Sequence, residues 1–406
     1  MAVGLAPLPD FHSIEGVRIG VASAGIKTPG RKDLVLFELA EGTQTAAVFT
    51  KNAFCAAPVV LSRRHLAAAT PRYFLVNTGN ANAGTGEPGM AHAEACCRRV
   101  AELGGVDSAQ VLPFSTGVIG EPLPVEKIEN ALPAAFDNLQ ENAWAQAAEG
   151  IMTTDTLPKG ATAVVEVDGQ KVHISGISKG AGMIKPNMAT MLAYVATDAR
   201  IGRDLLQKLL VEAVEGSFNR ITVDGDTSTN DSCMLVATGR TAAPEFTEAN
   251  RELWAPFDKA LKQVFLTLAQ AIVRDGEGAT KFIAVEVNGG ATQEEALDVA
   301  YTIAHSPLVK TALFASDPNW GRLLAAIGRA NVPDLDVSRI DVYLNDTCIA
   351  QAGGRAPSYT EAQGQAEMNK EEIKIRVELK RGAISETVWT TDLSHEYVRI
   401  NAEYRT

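Results

Sequence analysis

The stretch Lys179-Gly180-Ala181-Gly182-Met183-Ile184-Lys185-Pro186-Asn187-Met188-Ala189-Thr190-Met191-Leu192 sets a threonine behind a glycine-bearing approach and ahead of an apolar run. Gly180 and Gly182 accept backbone angles that other residues resist. Pro186 fixes its own φ and biases Lys185 towards an extended conformation. If the Ala189–Thr190 bond breaks, Thr190 carries both a hydroxyl and an α-amine. An α-amine has a reference pKa of about 7.7–8.0, so much of it is available as a base near neutrality. It can activate its own hydroxyl, the threonine–N-terminus form of nucleophilic catalysis. The same hydroxyl can make the cut by attacking the preceding carbonyl, an N-to-O acyl shift followed by ester hydrolysis. Taken alone, the segment also reads as an ordinary turn before a strand.

Other stretches carry weaker signals. In Ser115-Thr116-Gly117 a hydroxyl and a glycine amide stand side by side and can aim two donors at one developing negative charge, as an oxyanion hole requires. A plain turn is the other reading. Asn77-Thr78-Gly79-Asn80 follows an apolar run and reads as a polar loop at a strand end, able to hold a ligand or simply to turn the chain. Met152-Thr153-Thr154-Asp155-Thr156 is a hydroxyl cluster of the kind found in solvated loops. Asp224, Asp226, Ser228 and Asn230 have the spacing of a calcium loop, but its sixth position would be Thr229 instead of Gly and its twelfth Leu235 instead of Glu. The six histidines show no HxxxH or HxH spacing, so no metal site is expected.

The elements that must position these groups follow from periodicity and punctuation. Strands are expected at 34–39, 46–50, 72–76, 163–167, 171–174, 191–195, 282–287, 312–315, 340–344, 373–379, 387–391 and 397–400. Helices are expected at 87–103, 125–149, 203–218, 257–274, 293–304 and 322–327. Asp168-Gly169 between two β-like runs signals a type I′ hairpin. Interleaved strands and helices imply a mixed α/β layered architecture. Strands on either side of Thr190 are expected to share a sheet.

A chain of 406 residues can bury a substantial core, and 46% hydrophobic with 21% charged residues is ordinary globular composition. A net charge of −12 argues against nucleic-acid partners and against docking on anionic membranes. No apolar run approaches the roughly 20 residues that span a bilayer. The first ten residues lack a basic region followed by an apolar core, so no secretory signal is expected. Five scattered cysteines without a CxxC pair suit reduced thiols, and a cytoplasmic location is expected.

The Lys179–Leu192 stretch resembles the self-cleavage segment of the ornithine acetyltransferase family, also called the glutamate N-acetyltransferase family of arginine biosynthesis. Further stretches resemble the same family, in its order: Asn77-Thr78-Gly79-Asn80-Ala81-Asn82-Ala83, Ser115-Thr116-Gly117-Val118-Ile119-Gly120, Met152-Thr153-Thr154-Asp155-Thr156, Thr222-Val223-Asp224-Gly225-Asp226-Thr227-Ser228-Thr229-Asn230-Asp231, and Arg274-Asp275-Gly276-Glu277-Gly278-Ala279-Thr280-Lys281. The resemblance runs down to Ile400-Asn401-Ala402-Glu403-Tyr404-Arg405-Thr406. It implies an N-terminal-nucleophile-like fold, cut between Ala189 and Thr190 into an α chain (1–189) and a β chain (190–406) that assemble as an α2β2 heterotetramer.

The resemblance also implies roles. Thr190 is the nucleophile, Thr116 and Gly117 form the oxyanion hole, and Thr153, Lys179, Thr190, Glu277, Asn401 and Thr406 bind substrate. The implied reaction moves an acetyl group from N2-acetylornithine to glutamate by a ping-pong route through acetyl-Thr190. No cofactor is implied, and acetyl-CoA is left open as a further acetyl donor. Two rivals stay open at this point. One is a self-processing aminopeptidase or amidohydrolase of the same fold, in which water accepts the acyl group. The other is an uncut, non-catalytic amino-acid-binding protein.

Overall fold

The computed structural model describes residues 2–185 and 191–404. Ala189, Thr190 and Thr406 therefore lie outside the described residues. The chain forms two compact units: Pro7–Asn219 with Asp226–Ile272, and Met1–Ala6 and Arg220–Gly225 with Val273–Thr406. The first contains residues on both sides of the 189/190 bond.

In the first unit, chain order runs β1 (Val17–Ala22), β2 (Leu34–Leu39), β3 (Gln44–Phe49), α1 (Ala57–Ala68), β4 (Tyr73–Asn80), α2 (Gly86–Gly104), β5 (Val111–Val118), α3 (Val125–Asp137), α4 (Trp144–Gly150), β6 (Lys159–Val167), β7 (Gln170–Lys179), β8 (Leu192–Thr197), α5 (Arg203–Glu215), β9 (Ser232–Ala237) and α6 (Arg251–Arg274). Among the described residues these strands make a sheet of order β1-β2-β4-β5 and a sheet of order β3-β9-β8-β7-β6. The two sheets share one apolar core. Phe37, Phe74 and Phe114 from the first meet Ile177, Tyr194 and Met234 from the second, with Trp144 of α4 filling the side. The rings of Phe37 and Tyr194 stack at 4.9 Å, and Phe114 meets Tyr194 edge-on at 5.3 Å. A second cluster, with Ala93, Cys97 and Val100 of α2 and Leu132 of α3, covers the opposite face of the first sheet. The result is layered α/β packing, with alternate strand residues feeding different layers.

The expected hairpin at Asp168-Gly169 joins β6 and β7, with φ of 50° and 72° at its two turn residues. The strands before and after residue 190 also share a sheet: β7 and β8 pair antiparallel from Ile174↔Thr197 to Lys179↔Leu192.

Two expectations change here. Residues 77–80, read as a loop, continue β4, because Asn77, Thr78 and Gly79 pair in parallel with Ser115, Thr116 and Gly117. The Asn77 side chain is satisfied inside the ladder, donating to the Asn80 carbonyl and accepting from Ser115 Oγ. The helix expected over 125–149 breaks into α3 and α4, because Gln140 is drawn into a bridge with Ile19 at the edge of β1.

The second unit runs β10 (Phe282–Gly290), α7 (Gln293–Ala304), α8 (Pro307–Phe314), α9 (Trp320–Gly328), β11 (Asp341–Leu344), β12 (Thr347–Gln351), β13 (Gly354–Arg355), α10 (Glu361–Met368), β14 (Glu372–Glu378), β15 (Ile384–Thr391) and α11 (His395–Ala402). Its described strands form one sheet of order β13-β12-β11-β14-β10-β15. Val285, Val342 and Ile375 of that sheet pack against Val299 and Ile303 of α7 and Leu323 of α9.

Two strands expected in this unit are helices. Residues 312–314 belong to α8 and Ala315 is its C-cap; Ser306 caps the first turn by accepting from Val309 N, and Pro307 occupies the first helical position. Residues 397–400 belong to α11, where Ser394 accepts from Tyr397 N. In both cases a cap just upstream outweighs a short β-branched or aromatic run.

The Tyr194 hydroxyl, buried in the core of the first unit, has no hydrogen-bond partner among the described residues. An unpaired buried hydroxyl is a cost that a phenyl ring does not carry. Tyr194→Phe is therefore expected to leave thermal stability unchanged or to raise it by about 1 kcal/mol; a loss of stability in a melting experiment would show that the hydroxyl is paired in solution.

Candidate active site

The groups singled out in the first unit converge where β5 and β7 end and β8 and β9 begin. Thr116 and Gly117 lie near the C-terminal end of β5, and Lys179 is the last residue of β7. Lys179 Nζ donates to Thr116 Oγ1 at 3.1 Å. Because that oxygen accepts from the ammonium, the Thr116 hydroxyl proton is left to point elsewhere. Across the sheet, Leu192 opens β8 opposite Lys179, and Ser232 opens β9 beside it. Gly117 has φ of 138°, and a Cβ there would sit 2.3 Å from the Gly79 carbonyl carbon. The two strands touch backbone to backbone at that point, and the regular register slips at Gly79/Asn80. Only glycine fits this spot.

Asp155 holds the cluster together, although nothing in its motif sets it apart from its hydroxyl neighbours. It is fully buried and pairs with Lys159 at 2.7 Å. Its carboxylate also accepts from Gly180 N at 2.7 Å and from Thr153 N at 2.9 Å. Burial alone would raise its pKa, but the Lys159 and Lys179 ammonium groups and these hydrogen bonds overcome that and hold it well below the usual carboxylate range. Thr153, tied to Asp155 by its N–H, also gives its carbonyl to Arg31 Nη2 at 3.1 Å. Asn230 contributes from the other side. Its Nδ2 donates to the Ala81 carbonyl at 2.6 Å and to the Ser115 carbonyl at 2.9 Å, fixing the backbone just before Thr116.

The second unit holds a separate pair. Glu277 lies in the turn after α6, only 7% exposed, and accepts from Asn401 Nδ2 at 2.7 Å. Asn401 is on α11, whose start is pressed against the turn: Ser394 Oγ donates to the Gly278 carbonyl, and a Cβ on Gly278 would lie 2.5 Å from Tyr397 N. Tyr404, beyond the helix, has its pKa raised by burial and then by the Glu277 carboxylate.

The structure thus gathers Thr116, Gly117, Thr153 and Lys179 in one unit, and Glu277 with Asn401 in the other. A sequence model of the ArgJ family matches residues 18–406. The chain belongs to the ArgJ family. It is 66% identical over 406 residues, the whole of both chains, to the arginine biosynthesis bifunctional protein ArgJ of Pseudomonas fluorescens (strain Pf0-1). It is 63% identical over the same full length to the protein of that name from Pseudomonas syringae pv. tomato. Among solved structures, a crystal structure of the ArgJ protein of Bacillus halodurans is 40% identical, with a TM-score of 0.48, and covers 50% of this chain and 95% of its own. The family read from the motifs is therefore the family of the chain, and an ArgJ-family enzyme of arginine biosynthesis is the frame for these clusters.

In this ArgJ-family chain the Asp155 network makes a structural demand that can be measured. Asp155→Asn leaves the Lys159 ammonium buried without its counter-charge, and a loss of about 3 kcal/mol is expected in urea unfolding. In the unchanged chain, the depressed folded pKa stabilises fully above the unfolded carboxylate value of about 3.9. That contribution is lost as pH falls below this value towards the lower folded one. Melting temperatures of the two proteins should therefore converge in acid.

Proposed function

We propose that this chain is a self-processed acetyltransferase that moves the acetyl group of N2-acetylornithine to glutamate, giving ornithine and N-acetylglutamate. Support comes from the full-length match to proteins named bifunctional ArgJ and from the contact between Lys179 and Thr116 beside the start of β8. In this reading the Ala189–Thr190 bond is cut first, leaving an α chain of residues 1–189 and a β chain of residues 190–406, with two copies of each in the assembly. Thr190 then attacks the acetyl carbon, its α-amine taking the hydroxyl proton. The Thr116 hydroxyl, polarised by Lys179, and the Gly117 amide face the oxyanion. Ornithine leaves with the proton, and glutamate takes the acetyl group from the threonine ester.

Lys179 would hold the substrate α-carboxylate and Glu277 its α-ammonium, with Asn401 orienting the Glu277 carboxylate. Thr153 and Thr406 complete the set assigned to the amino-acid head group. Donor and acceptor carry the same α-carbon pattern, so one site serves both half-reactions. The second activity implied by the name bifunctional would be acetylation of glutamate from acetyl-CoA, through the same acetyl-threonine. No cofactor is needed for either. No helix among the described residues is long and apolar enough to cross a membrane, which is in keeping with a cytoplasmic enzyme.

Intact-mass and N-terminal analysis should show two fragments, one starting Thr190-Met191-Leu192, and Thr190→Ala should stay whole and inactive. Thr116→Ala should lower the acetyl-transfer rate by about 10²–10³, the usual effect of losing one oxyanion donor. If acyl turnover proceeds at the same rate with and without glutamate, the enzyme is a hydrolase and the transferase reading fails.

A further inference from the structure

We propose that Asn230 is a positioning residue for acetyl transfer: its side-chain amide sets Thr116 and Gly117 in the geometry that receives the oxyanion. The inference rests on the oxyanion role given to that pair in the acetyl-transfer reading, and adds to it the group that holds the pair in place.

The geometry comes from the outer edge of a sheet. Among the described residues β5 is the last strand of the order β1-β2-β4-β5, so alternate residues aim their backbone groups away from the sheet. The carbonyls of Val111, Pro113 and Ser115 form that outward row, and each is met by a side chain. His65 Nδ1 meets the Val111 carbonyl at 2.7 Å, and Ser62 Oγ donates to the Pro113 carbonyl at 2.7 Å. A carbonyl only accepts, so the His65 nitrogen there carries a proton. Asn230 Nδ2 donates to the Ser115 carbonyl at 2.9 Å. The Val118 carbonyl faces the other way and accepts from Ala81 N at 2.9 Å. The next residue on the outward row after Ser115 is Gly117.

What sets Asn230 apart from the other two donors is the span of its contacts. His65 and Ser62 both stand on α1, whereas Asn230 lies after the proposed cut, in the loop before β9. Its Nδ2 also donates to the Ala81 carbonyl at 2.6 Å, just beyond the end of β4. One amide thus ties the ends of β4 and β5 together where their register slips, at Gly79/Asn80, and where the Gly79 and Gly117 backbones touch. Regular pairing breaks there, so the ladder alone does not set the path of the chain through Thr116 and Gly117. The Ser115 carbonyl shares a rigid peptide plane with the Thr116 N–H, so holding that oxygen fixes the plane that leads into Thr116.

Asn230 is itself held. It is 6% exposed, its Oδ1 accepts from Thr229 Oγ1 at 2.6 Å, and its N–H donates to Ser228 Oγ at 3.2 Å. With two carbonyls on the nitrogen and a hydroxyl on the oxygen, the amide has one orientation. The carbonyls of its neighbours Thr229 and Asp231 accept from Ala56 N at 3.0 Å and Thr50 N at 2.9 Å, which pins the loop to the segment between β3 and α1. Oxyanion donors help only if they are aimed before the charge develops, so they need rigid support of this kind. Asn230 acts through the Ser115 peptide instead of through substrate. Its loss therefore weakens stabilisation of the transition state and leaves ground-state binding alone.

The test is steady-state acetyl transfer from N2-acetylornithine to glutamate by the full-length protein, with rates taken per cut molecule by intact mass. N230A should fold and lose about 10²-fold in kcat, the scale of a catalytic group displaced by about 1 Å, with KM unchanged. N230S, which keeps one donor, should recover part of the rate. S62A removes a donor from the same edge, at the Pro113 carbonyl. It should lower the melting temperature as N230A does and keep the wild-type kcat. Because Asn230 works through the oxyanion pair, N230A combined with T116A should be little slower than T116A alone. A folded N230A with wild-type kcat overturns the proposal, as does a loss that appears in KM or that S62A shares. Full multiplication of the two losses in the double variant also overturns it. A folded N230A that is never cut assigns Asn230 to the cut and ends the proposal as well. Should N230A not fold, N230S is held to the same outcomes; if neither folds while S62A does, Asn230 is a structural residue and the proposal falls. A T116A protein that transfers acetyl groups at the wild-type rate sinks the oxyanion reading itself, whereas a slow T116A beside a fast N230A sinks only the role of Asn230.

Discussion

A buried ammonium is the constraint from which the rest of the first unit follows. Lys179 is 8% exposed, and a cation out of water must be met by oxygens and counter-charge. It is met by the Thr116 hydroxyl at 3.1 Å and by the field of Asp155. Asp155 in turn needs more than one donor. It takes the Lys159 ammonium and two backbone amides, and one of those amides belongs to Gly180, the residue after Lys179. The loop around residues 153–159 is thereby locked to the end of β7, and β7 to the end of β5.

The position of the proposed cut within the sheet has a physical consequence. β7 ends at Lys179 and β8 begins at Leu192, and the two are paired along their lengths. β8 is paired on its other side with β9. The ladder bonds between the described residues of β7, β8 and β9, and the Phe37–Tyr194 core, lie outside that connection. Sheet pairing and core packing within the first unit therefore join the residues before the proposed cut to those after it.

Much of this was legible in the sequence, and the misses have specific causes. Long periodic segments gave α5 and α7 closely, and the Asp168-Gly169 pair gave the β6–β7 turn. Where two local signals competed, the apolar run was overweighted: the caps at Ser306 and Ser394 convert short β-like stretches into α8 and α11. Asn77 to Asn80 looked like a loop because polar residues are rarely buried in strands. Here Asn77 is satisfied by Asn80 and Ser115, a solution that exists only once β4 and β5 are paired. The site divides the same way. Lys179, Thr116 and Glu277 were reached through family motifs, since a lone lysine or turn glutamate has no signature. Asp155 lay inside a quoted motif but could not be separated from its neighbours. Burial and its ion pair distinguish it, and both are tertiary properties.

The C-terminal segment shows the same dependence on distant partners. Terminal residues usually fray unless something ties them down. α11 is tied by a contact that only glycine permits: Gly278, at φ of 68°, lets the backbone of Tyr397 approach, and the Ser394 hydroxyl that caps the helix also bonds the Gly278 carbonyl. Tyr397 Oη reaches Asp224 from the same helix. These anchors come before Asn401 in the chain, so Asn401 arrives at Glu277 on a turn of helix already fixed in rotation. An amide on an untethered tail would lose rotamer and backbone entropy each time it met the carboxylate. On an anchored helix most of that cost falls on folding, and Asn401 holds the Glu277 carboxylate in place within the folded unit.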